Sequence, residues 1–213
     1  MASAPRPAPR RRTAARGVAE IGPHGEEAIL KAAIAAMAEH GYHGTSVRDI
    51  AERAELSPAA LYYHFASKQD LLATIMERGI DRLLMRTRTA LAEAGEAPEE
   101  QLSAIVAVQV LFHLESQGAT LLGTSEMRAL EEPVRSKHKA KRQEQQRLFD
   151  QVIAGGVARG VFTTTMPLEA ARAIVMMCTG VASWFSPRGR LSREQVVKRY
   201  QRLALDMMGA RDT

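Results

Sequence analysis

Three adjacent side chains, Tyr62, Tyr63 and His64, bring two hydroxyls and an imidazole to one short stretch of chain. Groups of this size are costly to hold in water without a task, and their O–H and N–H donors suit the oxygens of a phosphate backbone. They follow Ser57-Pro58-Ala59-Ala60, a run of small, uncharged residues. Hydrolytic and metal chemistry find less support. His24, His40, His43, His64, His113 and His138 lack a partner ligand at i+4 with a carboxylate in support. His40 and His43 are close in sequence, but their neighbours read as a helix end. There is no Ser/His/Asp array, and Gly155-Gly156 with Gly160 does not make a phosphate-cradling loop. Neither an enzymatic activity, a metal nor another cofactor is expected. Cys178, the single cysteine, lies in the apolar run Ile174-Val175-Met176-Met177-Cys178, where a thiol acts as a small hydrophobe rather than a redox sensor.

Four helices must position the Tyr-Tyr-His stretch. From Glu26, residues Ile29, Ala32, Ala33, Ala36 and Met37 share one helical face, and Gly41 ends it. Ser46 with Asp49 forms a capping-box pattern that starts a second helix, whose apolar face is Val47, Ile50, Ala51 and Ala54. Glu55-Leu56-Ser57 breaks the chain. Ser57 then serves as N-cap, with Pro58 at the first helical position, for a third helix running to about Phe65. Ser67 caps a fourth, carrying Leu71, Leu72, Ile75, Gly79 and Leu83 and reaching about Glu93. Two short helices joined by a three-residue turn form a helix-turn-helix, whose second helix enters the major groove of DNA. Only Leu61 and Phe65 of that helix are required by a core, and Ala59 and Ala60 are small enough for its N-terminus to sit deep.

Beyond Gly95–Pro98 the pattern predicts helices over 98–117, 119–130, 132–158, 167–186 and 192–208. The breaks are Gly118, Glu131-Glu132-Pro133, Gly160 through Pro167, and Ser186-Pro187-Arg188-Gly189. There is no sustained period-two alternation and no internal repeat. The expected fold is all-α: an N-terminal three-helix head with a helix-turn-helix, plus a C-terminal helical bundle.

Gly41-Tyr42-x-x-Thr45-Ser46-Val47-Arg48-Asp49-Ile50-Ala51 and Leu56-Ser57-Pro58-Ala59-Ala60-Leu61-Tyr62-Tyr63-His64-Phe65-x-Ser67-Lys68-x-x-Leu71 resemble the DNA-binding head of the TetR family of repressors, over residues 25 to about 72. The resemblance implies roles for matched positions. Thr45, Ser46 and Arg48 would meet phosphates or the groove edge. Pro58, Ala59 and Ala60, with Ser57 beside them, would face the bases. Tyr62, Tyr63 and His64 would bind phosphate, and Lys68 would pin the DNA backbone at the next helix N-terminus. Pro, Ala and Ala carry little hydrogen-bonding code, so thymine methyls, Arg48 and DNA shape should weigh more in readout. The partner is double-stranded, palindromic operator DNA, and the function implied is a repressor released by a small-molecule effector.

The same resemblance makes the body a ligand-binding and dimerisation bundle, dividing the chain into an arm over 1–23, a head over 24–83 and a body over 84–213. Leu102, Ile105, Val108, Leu111, Phe112, Leu114, Leu148, Phe149, Val152 and Ile153 either line a pocket or fill a bundle core. Residues 168–185 are apolar on most sides, and the last helix carries Val196, Val197, Tyr200, Leu203, Ala204, Met207 and Met208. Two such helices per subunit, paired across a two-fold, make a four-helix homodimer interface. The run Trp184-Phe185-Ser186-Pro187-Arg188-Gly189-Arg190-Leu191-Ser192 resembles a subgroup whose effectors are acyl-CoA thioesters of fatty-acid, sterol or related degradation. Met85, Leu111, Phe112, Phe149, Met177, Trp184, Arg188 and Arg190 are the expected effector contacts. Arg188 and Arg190 are either CoA-phosphate ligands or an exposed basic turn. The basic residues over 135–147 are read as a solvated helical face or as further phosphate ligands. Other effectors of multidrug or antibiotic type, and a ligand-independent DNA binder, are the alternatives. The last would not need an apolar body of this size, and a cavity in the body separates the cases.

Charge refines this picture. The net charge is +5, but residues 17–80 hold five basic and nine acidic side chains, so the head is net negative. The arm holds Arg6, Arg10, Arg11, Arg12 and Arg16 with no acid among residues 1–19, and is either an inert tail or a flexible reach to phosphates or the minor groove. Apolar residues make up 46% and aromatics 5%, favouring helix over sheet. One cysteine, no apolar run near the ~20 residues of a membrane span and no secretory pattern at the N-terminus lead to the expectation of a cytoplasmic protein.

Overall fold

A computed structural model describes residues 23–209. The described residues form nine α-helices and no strand: α1 Pro23–Gly44, α2 Val47–Arg53, α3 Pro58–His64, α4 Lys68–Glu93, α5 Pro98–Glu115, α6 Gln117–Ser125, α7 Val134–Ala158, α8 Pro167–Trp184 and α9 Arg193–Met207, with a 3₁₀ turn at Met127–Ala129. The all-α expectation, a head with a helix-turn-helix followed by a helical bundle, matches this architecture. The arm expected over residues 1–23 lies outside the described residues except for Pro23, which opens α1.

Local chemistry accounts for the helix ends of the head. Gly41 takes φ 74° and interrupts α1 where glycine alone is comfortable. Ser46 and Asp49 close a reciprocal capping box, Asp49 N–H donating to the Ser46 hydroxyl oxygen at 3.2 Å and Ser46 N–H to the carboxylate at 2.8 Å. Ser57 and Ser67 cap α3 and α4, accepting from the N–H groups of Ala60 and Asp70. After α2, Leu56 N–H donates to Ala51 O at 2.9 Å and Glu55 N–H to Glu52 O at 3.0 Å, the paired bonds of a Schellman turn. That turn needs a left-handed residue, and Glu55 supplies it at φ 58°, where a Cβ costs roughly 1–2 kcal/mol.

The expected bundle helices recur with ends shifted by about two residues, apart from the segment 119–130. Its helix starts at Gln117, not after Gly118, and stops at Ser125, the remainder forming the 3₁₀ turn. The break falls at Ser116, where α5 and α6 meet at 96°. Gly118 serves packing instead: a Cβ there would stand 2.9 Å from Ile34 Cγ2, so its absence lets α6 lie close on α1. α7 ends in a second Schellman turn with Gly160 at φ 70°, which folds Phe162 over Gly156.

Two main cores result. The head core gathers α1–α3 and the first half of α4 around Ile29, Leu61, Leu71 and Leu72, and takes in Leu122 of α6 and Leu130. The body core joins α5, α7, α8 and α9 through Leu102, Ile105, Phe149, Ile174 and Val196. Ile80, Leu83 and Leu84 of α4 pack on Phe112 between the two.

Candidate nucleic-acid interface and ligand cavity

The two helices of the helix-turn-helix are seven residues each and are held by their apolar faces, leaving their other faces to water. Pro58 and Ala59 are exposed at the start of α3, and Tyr62 and Tyr63 stand out from it, Tyr63 at 78% exposure. His64 is half-buried edge-on to Tyr63, with an Nε2 that has no hydrogen-bond partner among the described residues. Ser46, Arg48 and Ser57 are exposed, though the oxygens of both serines already accept a capping bond.

Three residues expected at the DNA also have tasks inside the head. Thr45 is buried, and its hydroxyl lies 2.8 Å from Gly41 O and 3.1 Å from Ala36 O, pinning the turn after α1 to its helix. Lys68 donates from Nζ to Tyr42 O at 2.8 Å and Thr45 O at 2.7 Å, and sits over the Tyr42 ring at 4.3 Å. Two of its three N–H donors thus go to carbonyls at the end of the α1–α2 turn. Ala60, expected at a base edge, is buried to 9% exposure. One local clue was present: Thr45 directly precedes a capping serine, so its side chain points back from the start of α2.

A cavity of about 110 Å³ lies between α4, α5, α6, α7 and α8. Ile75, Met76, Gly79, Ile80 and Leu83 of α4 and Phe112 of α5 form its apolar wall. Much of the rest of the lining is polar, and sequence reading missed it. Gln145 Nε2 donates to Thr87 Oγ1 at 2.9 Å and to Gln109 Oε1 at 3.0 Å. Gln109 Nε2 donates to Thr179 Oγ1 at 3.3 Å and lies 3.1 Å from His113 Nε2. His113 Nδ1 reaches Thr120 Oγ1 at 2.9 Å. Burial, helped by Arg142, pushes the His113 pKa down to about 4. Burial and then Arg142 and Lys141 push His138 down to about 4 against the opposing pull of Asp81. Both imidazoles are therefore neutral at pH 7, and the network is uncharged.

Of the eight expected effector residues, Phe112 alone lines this cavity. Phe149 is fully buried in the body core, and Leu111 and Met177 pack against that core. Met85 is 60% exposed beside a surface groove between α4 and α7. Trp184 stacks on Tyr200 with centroids 6.3 Å apart, and Arg188 and Arg190 are exposed in the α8–α9 turn. Helical periodicity assigned Met85, Leu111, Phe149 and Met177 to helices but could not say which of two faces met the cavity. The basic run on α7 is partly ion-paired, Lys141 with Asp81 and Arg135 with Glu132, and only Arg142 of that run borders the cavity.

α8 and α9 leave an apolar face uncovered. Met176 is 74% exposed, and Leu168, Trp184, Leu203 and Met207 are also exposed. Val197, grouped with these by sequence, is instead buried in the body core. Among the described residues no single helix is long and apolar enough to cross a membrane.

Comparison with known proteins agrees with this layout. The family model "Bacterial regulatory proteins, tetR family" matches residues 29–75, and "Tetracyclin repressor-like, C-terminal domain" matches residues 95–208. The HTH-type transcriptional repressor KstR2 of Mycobacterium tuberculosis is 26% identical over 180 residues, covering 83% of this chain and 89% of the relative. A solved bacterial regulatory protein in the tetR family from Rhodococcus RHA1 is 28% identical with a TM-score of 0.82, covering 90% of this chain and 100% of that one. The structure of AibR in complex with isovaleryl coenzyme A and operator DNA gives a TM-score of 0.77 over 88% of this chain and 100% of that one, a likeness of fold at 23% identity.

Two outcomes follow from this geometry. Lys68→Met is expected to lower stability by about 1–3 kcal/mol, the range for losing hydrogen bonds from a charged group, whereas Tyr63→Ala should stay within about 0.5 kcal/mol. Chemical denaturation measures both, and equal stabilities would remove the bracing role of Lys68. The second outcome concerns acid. The folded pKa of His113 and His138 lies below the unfolded value of 6.5, so the unfolded chain takes up their protons first as pH falls. Their stabilisation is complete above pH 6.5 and drains toward pH 4, by up to roughly 3 kcal/mol for each histidine. His113→Gln should flatten that part of a melting-temperature profile, and an unchanged slope would contradict the assignment.

Proposed function

The chain belongs to the TetR family of bacterial transcriptional regulators, and from that premise we propose that it is a dimeric repressor, released from operator DNA when a small molecule occupies the cavity between α4 and α8. The observation that carries this reading is that two walls of the cavity also pack into the head core. Helix α4 presents Ile75 to Leu83 to the cavity and Leu71 and Leu72 to the head core. Helix α6 presents Thr120 and Thr124 to the cavity and buries Leu122 against the head. A ligand that shifts either helix therefore moves the DNA-reading surface.

The lever on α4 is short. Ile75 is seven residues from Lys68, about 10 Å at 1.5 Å per residue, where an origin at Leu84 would make it about 24 Å. A tilt alone then gives a small displacement at the head, so α6 pressing on α1 through Gly118 and Leu122 supplies the second push. The heads of a dimer must sit about 34–36 Å apart to enter successive major grooves, and a change in that spacing weakens operator binding. On this reading the head spans residues 24–83 and the ligand-binding and dimerisation body residues 84–213, and the protein works in the cytoplasm, where its operator lies. Pro58, Ala59 and Arg48 meet the bases and groove edge, while Tyr62, Tyr63 and His64 hold phosphates.

The effector class we favour is a short-chain acyl-CoA thioester. The run Trp184–Ser192 supports it, as does a structural relative solved with isovaleryl coenzyme A and operator DNA. At about 110 Å³ the cavity is smaller than the ~300–1,000 Å³ of pockets for drug-sized ligands, which suits a few-carbon acyl group better than a fused ring system. The thioester and CoA would extend past Arg142 toward solvent.

Short-chain acyl-CoA is expected to lower operator affinity by roughly 5- to 150-fold, and operator DNA to weaken acyl-CoA binding by the same factor. Calorimetry with and without operator tests both arms, and an acyl-CoA bound equally well in each case is not the inducer. The dimer surface is assigned to the exposed side chains of α8 and α9. Met176→Glu with Leu203→Glu should yield folded monomers in sedimentation, because neither side chain supports the subunit core. A persisting dimer would place the interface elsewhere.

A further inference from the structure

The cavity holds two buried polar groups that its own hydrogen-bond network leaves out. Gln145 Oε1 has no partner among the described residues although the side chain is 3% exposed. His138 Nδ1 is likewise unpartnered on a residue 5% exposed. Both side chains line the cavity. A native structure rarely leaves such atoms unmatched, and each exception calls for a partner or a reason.

The polarity of Gln145 is not arbitrary. Its Nε2 donates to Gln109 Oε1 and Thr87 Oγ1, and the Thr87 hydroxyl hydrogen is already committed to Leu83 O at 2.9 Å. Exchanging the amide oxygen and nitrogen would set two acceptors against each other at Gln109. Gln109 is held in turn, since its own Nε2 faces Thr179 and His113. The network thus fixes an acceptor, and not a donor, toward the remaining space. No cationic side chain stands in this inner wall, because His113 is neutral and Arg142 is exposed at the rim.

We propose that the inner end of the cavity binds an uncharged hydrogen-bond donor of the ligand, a hydroxyl on a short apolar chain, which donates to Gln145 Oε1. The apolar wall of Ile75, Met76, Ile80, Leu83 and Phe112 takes the carbon chain. A carboxylate is excluded from this end, since it brings acceptors to an acceptor and its charge has no counterion there. A plain hydrocarbon tail leaves Gln145 unmatched, and a site with a buried unpaired group discriminates against a ligand that lacks the complementary one. The inference rests on the effector reading only in treating this cavity as a ligand site. It specifies that an acyl group reaching the inner end carries a hydroxyl.

Isoamyl alcohol, isohexane and 4-methylpentanoate share a branched skeleton and differ at the end as hydroxyl, methyl and carboxylate. Titrations of the full-length chain, followed by NMR of the Gln145 and Gln109 side-chain amides, give the three affinities. The alcohol is expected to bind at least about tenfold more tightly than the hydrocarbon and more tightly than the carboxylate. In Gln145→Met the alcohol's advantage over the hydrocarbon should fall to about twofold or less. Should that variant not fold, the wild-type ratio decides alone. The proposal is overturned if the hydrocarbon binds as well as the alcohol, if the carboxylate binds best, or if alcohol and hydrocarbon both fail to bind up to their solubility limits. Operator release is read in a separate assay. An alcohol-selective cavity combined with acyl-CoA that leaves operator binding untouched would defeat the acyl-CoA reading and spare this one. Acyl-CoA that releases operator from a cavity indifferent to the hydroxyl would do the reverse.

Discussion

The structure depends on one helix belonging to two cores. Over 26 residues, α4 contributes Leu71, Leu72, Ile75 and Met76 to the head and then Ile80, Leu83 and Leu84 to the contact with Phe112, before burying Thr87 beside Gln145. A helix packed along its whole length cannot bend locally without unpacking one end, so it transmits displacement as a rigid body. Every other arrangement follows from serving that helix. Ser67 caps it, Lys68 ties its first turn to the α1–α2 corner, and Asp81 and Arg88 pair with Lys141 and Glu144 of α7 along its outer side. Gln69 reaches from it to the backbone of Ala129, adding a bond between head and body.

The head poses an electrostatic problem, since it carries more acid than base. Several of its charges are matched internally, Arg53 with Glu39 and Arg78 with Glu26. Arg48 is exposed and makes no ion pair among the described residues. A surface with few free cations and two projecting tyrosines favours phosphate recognition by neutral donors. On the proposed reading such contacts would release fewer counterions than lysines and arginines do, and the head's share of the salt dependence would be modest.

The sequence was most informative where a local rule decides the outcome. Ser46 with Asp49, Ser57 with Pro58, Ser67 and Gly41 all stand where helices begin or end, because capping involves residues within four positions of each other. The tasks of Thr45 and Lys68 inside the head were illegible for the opposite reason. Their partners, Ala36, Gly41 and Tyr42, meet them only once α1 has turned at Gly41, and the same exposed types in an unfolded head would suit phosphate equally well. The cavity network was invisible for a further reason. Gln109, His113, Gln145 and Thr179 come from three helices separated by up to 70 positions, and each alone looks like an ordinary polar residue at a helix surface. Gly118 read as a break is the mirror case, a residue whose smallness serves a neighbouring helix rather than its own chain direction.

Glu55 gives the head an unused margin. Its left-handed backbone is required by the turn between α2 and α3, yet no hydrogen bond of its side chain offsets the strain among the described residues. Glycine adopts that angle freely, and asparagine adopts it more readily than glutamate. The turn therefore sits one substitution from a firmer version of itself. A chain that accumulated harmful changes elsewhere in the head could recover there without altering Pro58, Ala59 or the tyrosines. The small strained corner is, in that sense, where this scaffold has most room to tolerate divergence in the surface that reads DNA.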